Sequence, residues 1–370
     1  MIAENWFTVS NCENIDTPAL LVYPQRVKAN IDLLIGMIDD KTRLRPHVKT
    51  CKSIEAAELM MEAGISKFKC ATIAEAEMLA LAQAPDVLLA YQPTGPKLKR
   101  FFKLIKKYPK TTFSCLVDTV AVAEEISNFA CQSSLTIAIY IDLNVGMNRT
   151  GIVPKNAFSL YEHCTNLGNI QVLGLHVYDG HIHDSDLEVR TKEFFDHFEK
   201  VIKLKNEITN KGYTKPLVIA GGTPTFPIIA GKTDFECSPG TFIYWDEGYE
   251  KSFDEQKFIP AALILTRVIS LPDVTKICLD LGHKSVASEK ELGKRIVFLN
   301  HENLIPVSQS EEHLVMEAGP DHAFKVGDVL YGIPFHICPT VALYEHAIII
   351  ENGVANGEWK TIARDRKITI

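Results

Sequence analysis

Short, continuously apolar runs alternate about eight times with longer stretches whose apolar residues recur at three- and four-residue spacing, and no other feature of this chain constrains its fold as much. The short runs predict strands over 43–49 (RLRPHVK), 67–73 (KFKCATI), 86–92, 112–118, 135–143, 172–178, 217–221 and, less regularly, 235–244. The stretches between them predict helices over 52–63, 73–82, 97–107, 119–130 and 187–209. Strands that are apolar throughout need cover on both faces, so the expected fold is α/β, an N-terminal parallel (β/α)8 TIM barrel wrapped in helices. An open doubly wound sheet has the same periodicity, but no GxGxxG follows any strand, which argues against a dinucleotide-binding version. An extra segment, TPALLVY (17–23), precedes the first helical pattern, VKANIDLLIGMI.

Beyond about residue 240 the rhythm changes. PAALILTRVISL, TKICLDLG, HLVMEAG and ALYEHAIIIENG are strand-like runs punctuated by Pro, Gly and Asp. The expected organisation is a barrel over 16–240 and a mostly β domain over 241–370, to which residues 1–15 add a strand.

Composition narrows the partners. A net charge of −7 argues against nucleic acid or an anionic membrane surface. No apolar run approaches the roughly 20 residues of a membrane span. The opening MIAENWFTVSNCENIDTP has neither the basic start nor the apolar core of a signal peptide. Nine scattered cysteines without a CxxC pair read as reduced thiols, most of them small core residues, so a cytoplasmic location is expected.

Parallel barrels react at the carboxyl ends of their strands, and several predicted strands here end in polar residues. The first ends in RPHVKTCK, which holds Arg45, His47, Lys49 and Lys52. A lysine among cations has its ammonium form disfavoured and becomes a nucleophile; the alternative is a solvated strand tip. The fifth strand ends in Asp142 and Asn144, and the sixth in His176, Tyr178, Asp179 and His181. The loop VYDGHIHD suits a second metal site, an acid–base pair or a stacking surface, and equally a polar surface loop. IAGGTPTFP (219–227) exposes backbone N–H groups and hydroxyls that can cradle a phosphate, although an ordinary tight turn also needs glycine. In NVGMNRTG, Arg149 suits a phenolate, carboxylate or phosphate, or else a salt bridge on the rim. In PFHICPTV, His336 and Cys338 share one side of an extended segment and can share a cation; the alternative is a buried thiol beside a polar histidine.

Together these motifs resemble the D-threonine aldolase and D-serine dehydratase family, pyridoxal-phosphate enzymes with the alanine-racemase type of fold. RPHVKT resembles the family's Schiff-base motif, which implies that Lys49 carries the cofactor. VGMNRTG is similar to the element whose arginine lies against the cofactor's phenolic oxygen, here Arg149. GGTPT resembles the phosphate cradle, giving Gly221, Gly222 and Thr223, and His176 and Tyr178 join the expected cofactor-binding set. FHICPTV resembles the metal-binding segment, giving His336 and Cys338 as ligands of zinc or manganese. SEEH (310–313) also resembles a family element. The resemblance runs from about residue 16 to 345, with the motifs in order.

The resemblance implies a metal-assisted lyase acting on a D-3-hydroxy amino acid, a small-molecule substrate, and a homodimer. Lys49, His336 and Cys338 are its expected catalytic residues. A cysteine ligand is softer than aspartate, favours zinc and resembles the dehydratase branch, whereas YDGH resembles the aldolase members. The expected activity is that of a D-threonine aldolase. The alternatives are a dehydratase of D-serine or D-threo-3-hydroxyaspartate, a racemase with Tyr331 or Tyr344 as second base, and a non-catalytic pyridoxal-phosphate-binding protein.

Overall fold

The structure is a computed structural model that describes residues 6–299 and 301–370. The chain forms two compact units. The β unit comprises residues up to Leu33, Thr50–Ala56 and Thr241–Arg364; the barrel unit comprises Leu34–Lys49, Ala57–Gly240 and Asp365–Ile370.

The first strand, β1 (Ala19–Val22), belongs to the β unit: it pairs antiparallel with the strand at Ala262–Ser270 and parallel with that at His346–Glu351. The ALLV part of TPALLVY is therefore buried strand of the β unit, not a preface to the barrel. Of the N-terminal residues expected to add a strand, 1–5 lie outside the described residues. Residues 6–15 hold a single turn at Cys12–Asn14 and no strand.

The barrel unit holds β2 (Lys67–Cys70), β3 (Asp86–Leu89), β4 (Thr112–Val117), β5 (Ile137–Leu143), β6 (Ile170–Val177), β7 (Leu217–Ala220) and the two-residue β8 (Glu236–Cys237). They form one parallel sheet in that order, with a helix after each of β2 to β7. Helix starts follow from local chemistry. Thr72 accepts from the Glu75 N–H ahead of Ile73–Leu81, and Asp186 accepts from Glu188 and Val189 ahead of Leu187–Asn210. β6 and β7 approach so closely at Gly174 that a Cβ there would lie 2.0 Å from the Leu217 carbonyl oxygen.

The sheet has seven strands instead of eight, because 43–49 does not form a regular strand. Pro46 has no N–H to give and interrupts the ladder. The segment still bridges both ends of the sheet. The Arg45 N–H donates to the Cys237 carbonyl (2.8 Å) and the Lys69 N–H donates to that of Pro46 (2.9 Å). Leu44 and His47 form single bridges with Cys237 and Lys69. An irregular stave thus joins β8 to β2. Arg45 locks it, its guanidinium 2.7 and 3.0 Å from the Asp86 carboxylate and 2.7 Å from Glu236.

The β unit continues with β9 (Ala262–Ser270), β10 (Lys276–Leu279), β11 (Ile296–Phe298), β12 (Ile305–Gln309), β13 (Leu314–Glu317), β14 (Val329–Pro334), β15 (His346–Glu351) and β16 (Val354–Lys360). The sheet order is β12-β13-β10-β9-β1-β15-β16, with β14 pairing β9 and β11. Its core gathers Phe7, Val9, Leu21, Tyr23, Leu263, Leu265 and Ile333. Each such leucine contributes about 1.5–3 kcal/mol by leaving water. The SEEH element has a structural place here. The backbone N–H groups of His283 and Lys284 donate to the Ser310 and Glu311 carbonyls (2.9 and 3.1 Å), and a Cβ at Gly282 would collide with Glu311.

None of the nine cysteines forms a disulfide, and six of them are buried. Among the described residues no helix is long and apolar enough to cross a membrane.

Candidate active site

In the barrel unit the expected cofactor residues lie at or just beyond the carboxyl ends of strands. Lys49 ends the irregular stave, partly buried, and its backbone N–H donates to His47 Nδ1 at 3.2 Å. Arg149 lies in the loop after β5. That loop is shaped by Asn144, whose side-chain oxygen accepts from the N–H groups of Gly146 (3.0 Å) and Asn148 (3.1 Å). The Arg149 guanidinium stands 4.6 Å from the centroid of the Tyr178 ring, a cation–π distance.

His176, on β6, is 4% exposed and meets Asp142 Oδ1 through Nδ1 at 2.7 Å. Burial pulls its pKa down against the lift of that bond; nearby Lys69, Asp142 and Arg149 add opposing charges. Asp179 is fully enclosed, and burial raises its carboxyl to about 7 despite a hydrogen bond from Thr225 and the charge of Lys69.

Gly221 follows β7 with φ +76°, so only glycine fits without strain. Gly222 comes next, and Thr223 is buried with its Oγ1 accepting from the Gly240 N–H at 3.1 Å. The Ser238 hydroxyl, just past β8, is buried with no hydrogen-bond partner among the described residues. A glycine turn and an orphan hydroxyl at the ends of β7 and β8 suit a phosphate, which would satisfy that hydroxyl. Lys49, Arg149 and this cradle fit pyridoxal phosphate in the chemistry of each donor.

The β unit holds the other expected pair. His336 is extended, but Cys338 lies in the first turn of a short helix, Ile337–Val341, that His336 caps. The two side chains are therefore not brought together by strand alternation. Pro339 is tolerated in a first turn, where its missing N–H costs nothing. The imidazole and thiol hydrogen-bond to each other. Burial alone would pull His336 down, but the Cys338 bond and charge, Glu289 and Asp246 outweigh it and raise it to about 9. His336 Nδ1 meets Glu289 Oε1 at 2.5 Å, and Asp246 accepts from the Ile337 N–H at 3.1 Å. Thr50, the residue after Lys49 in the chain, belongs to this unit, and its hydroxyl lies 3.1 Å from Cys338 Sγ.

An imidazole and a thiol that act on one another in this way can share a divalent cation, and two protein ligands leave positions open. Among the described residues no group of three or more His, Cys, Asp or Glu converges as a metal cage, at VYDGHIHD or elsewhere. In that loop the His181 ring packs edge-on against His197, centroids 4.7 Å apart, and exposed His183 turns its Nδ1 to the His181 carbonyl. Both tyrosines considered as a racemase base are engaged within the β unit. Tyr331 accepts from the Val9 N–H (3.1 Å), and Tyr344 donates to the Ser285 carbonyl (2.6 Å).

Lys69, Ser238, Glu289 and Asp246 were not singled out from the sequence. A visible signal existed only for Lys69, a charged residue inside the apolar run KFKC.

With this geometry in hand, the chain belongs to the alanine racemase N-terminal domain family, whose model matches residues 22–247. A serine dehydratase domain model matches residues 261–350. A D-threonine aldolase from an Arthrobacter species is 24% identical over 95% of this chain and 93% of its own length. A D-threo-3-hydroxyaspartate dehydratase from a Delftia strain is 25% identical over 63% of this chain and 62% of its own. The crystal structure of D-threonine aldolase from Filomicrobium marinum matches with a TM-score of 0.87 over 95% of each chain, at 23% identity.

Proposed function

We propose that this chain is a pyridoxal-phosphate- and metal-dependent lyase acting on D-3-hydroxy amino acids, and specifically a D-threonine aldolase that yields glycine and acetaldehyde. The observation that carries the reading is the donor set of the barrel unit: Lys49 at the end of the stave, Arg149 after β5, and a glycine turn with the buried Ser238 hydroxyl, unpartnered among the described residues, at the ends of β7 and β8. The Arthrobacter aldolase aligns at 24% identity over 95% of the chain, against 21% over 93% for a D-serine dehydratase from Dictyostelium discoideum, so identity at full length leans to the aldolase.

Lys49 would hold the cofactor covalently. Gly221, Gly222, Thr223 and Ser238 would hold its phosphate, Arg149 would face its phenolic oxygen, and His176 and Tyr178 would flank its ring. Bound pyridoxal phosphate supplies an electron sink for charge left on the substrate's α-carbon. His336 and Cys338 would hold a divalent cation, zinc given the soft thiolate, which supplies Lewis acidity toward a β-oxygen. Arg149 stands over the Tyr178 ring, and Glu289 fixes the orientation of the His336 imidazole. A homodimer and a cytoplasmic location belong to the same reading.

The dehydratase is the second reading, favoured by Cys338 as ligand and by the serine dehydratase match over 261–350. Titrating pyridoxal phosphate into the wild type and Lys49→Ala tests the shared part of both. The wild type is expected to gain a visible absorption band that borohydride fixes to Lys49. A band of equal strength in folded Lys49→Ala would move the anchor elsewhere.

A further inference from the structure

Parallel barrels fill the inner face of their sheet with branched aliphatic side chains. Here three strands place ionisable groups in the interior instead. Lys69 on β2, Asp142 on β5 and His176 on β6 are 2%, 5% and 4% exposed. They form a line: Asp142 Oδ1 is 2.7 Å from His176 Nδ1, and His176 Nε2 is 3.5 Å from Lys69 Nζ. The Lys69 amine also lies 5.7 Å from the centroid of the Tyr178 ring. Among the described residues it forms no ion pair with a carboxylate. An enclosed amine with no carboxylate in ion-pair contact is expensive to keep, and a methionine or leucine would fill the space at less cost.

Asp142 is a carboxylate acceptor, so His176 Nδ1 carries the proton it donates. A neutral imidazole then has Nε2 as an acceptor, and the donor facing it is Lys69 Nζ. The groups facing Lys69 are Lys49 and His47 from the irregular stave, Asp142 from β5, and Arg149 from the loop after it. His176 on β6 and Asp179 beyond β6 complete the set. Burial first, then the charge of Lys49, pulls the Lys69 amine down to about 7; Asp179 and Asp142 work against this and Arg149 with it.

We propose that Lys69 is a positioning residue of the barrel site: it donates to His176 Nε2 and so holds His176 as a neutral imidazole with its single proton directed at Asp142. The inference rests on reading the barrel as the cofactor unit. It gives that unit a flat, uncharged ring on β6 in a region that already carries the cations Lys49 and Arg149. An imidazolium there would add to the positive charge of Lys49, Arg149 and Lys69.

The test is a pH titration of histidine-15N-labelled full-length protein by NMR, in cofactor-free and cofactor-loaded forms, with His176 assigned through His176→Gln. In the wild type the His176 signals are expected to report protonated Nδ1 and acceptor Nε2 between pH 6 and 8. In Lys69→Met the donor and its charge are gone, so His176 is expected to take up its second proton at a pH higher by about one unit or more. Lys69→Arg, which keeps a donor, is expected to restore the wild-type tautomer. Protonated Nε2 in the wild type overturns the proposal without any variant. So does an unchanged His176 titration in folded Lys69→Met. The cofactor-free spectra do not depend on catalysis, whereas failure of the wild type to bind pyridoxal phosphate would overturn the cofactor reading alone.

Discussion

The Arg149 guanidinium stands 4.6 Å from the centroid of the Tyr178 ring, so one contact ties the loop after β5 to the residue that follows β6. Such contacts are worth about 0.5–2 kcal/mol. Tyr178→Leu is therefore expected to weaken pyridoxal phosphate binding by roughly 2- to 30-fold, and Tyr178→Phe by much less. Absorbance titration measures both. Equal losses in the two variants would assign the effect to the hydroxyl and not to the ring face.

Glu289 holds His336 Nδ1 at 2.5 Å, a carboxylate orienting an imidazole whose other nitrogen is left for a cation. Glu289→Gln is expected to lower zinc affinity by about 10- to 100-fold. Cys338→Ala is expected to lose the bound metal, while both variants keep the visible cofactor absorption. Metal analysis after dialysis against graded chelator decides it. Unchanged metal content in Cys338→Ala would show that the cation sits elsewhere.

Two adjacent glycines separate folding from binding. A Cβ on Gly221 would lie 2.3 Å from Ile229 Cδ1 and 2.7 Å from Thr225 Oγ1, in a backbone at φ +76°. A Cβ on Gly222 meets nothing nearer than Tyr178 at 3.4 Å. Gly221→Ala is expected to lower stability by about 1–3 kcal/mol. Gly222→Ala is expected to leave thermal unfolding of the cofactor-free protein nearly unchanged but to weaken phosphate-bearing cofactor more than pyridoxal.

Asp179 and Lys69 give the cofactor-free protein a stability profile with a definite sign. Burial raises the folded carboxyl of Asp179 from the ordinary 3.8 to about 7. Between those values the folded state holds more protons than the unfolded one, so stability falls as pH rises. Lys69 runs the other way: its folded amine lies at about 7, below the ordinary 10.5, so stability rises with pH across that interval. Asp179→Asn is expected to flatten the slope below pH 7, and Lys69→Met the slope above it. Melting temperatures from pH 4 to 10 measure both limbs.

Much of this was legible in the residues because periodicity reports burial. The runs at β2 to β7 are mostly apolar, and each is a strand within a few residues of its expected bounds. The segment 43–49 holds a strand's place in the alternation, and that place alone does not show that Pro46, with no N–H, breaks its ladder. The TPALLVY run falls inside the range expected for the barrel, 16–240, yet its strand pairs in the β unit: the pattern shows that it is covered, not by which strands. The loop motifs stand where strand ends were expected. Cys338 instead sits in a helical turn, because the HxC spacing carries no information on local backbone. Glu289, 47 residues from His336, and Ser238, a bare hydroxyl past β8, were invisible to motif reading. Each matters only through a contact made by the fold.

The central claim is the bond that breaks, and a product assay addresses it directly. Wild-type protein loaded with pyridoxal phosphate and zinc is incubated with D-threonine, with and without chelator. The account predicts glycine and acetaldehyde in equal amounts, lost on chelation and restored by added metal. A keto acid with ammonia would make the enzyme a dehydratase, and decay of optical rotation that persists with chelator would contradict the metal-dependent lyase altogether.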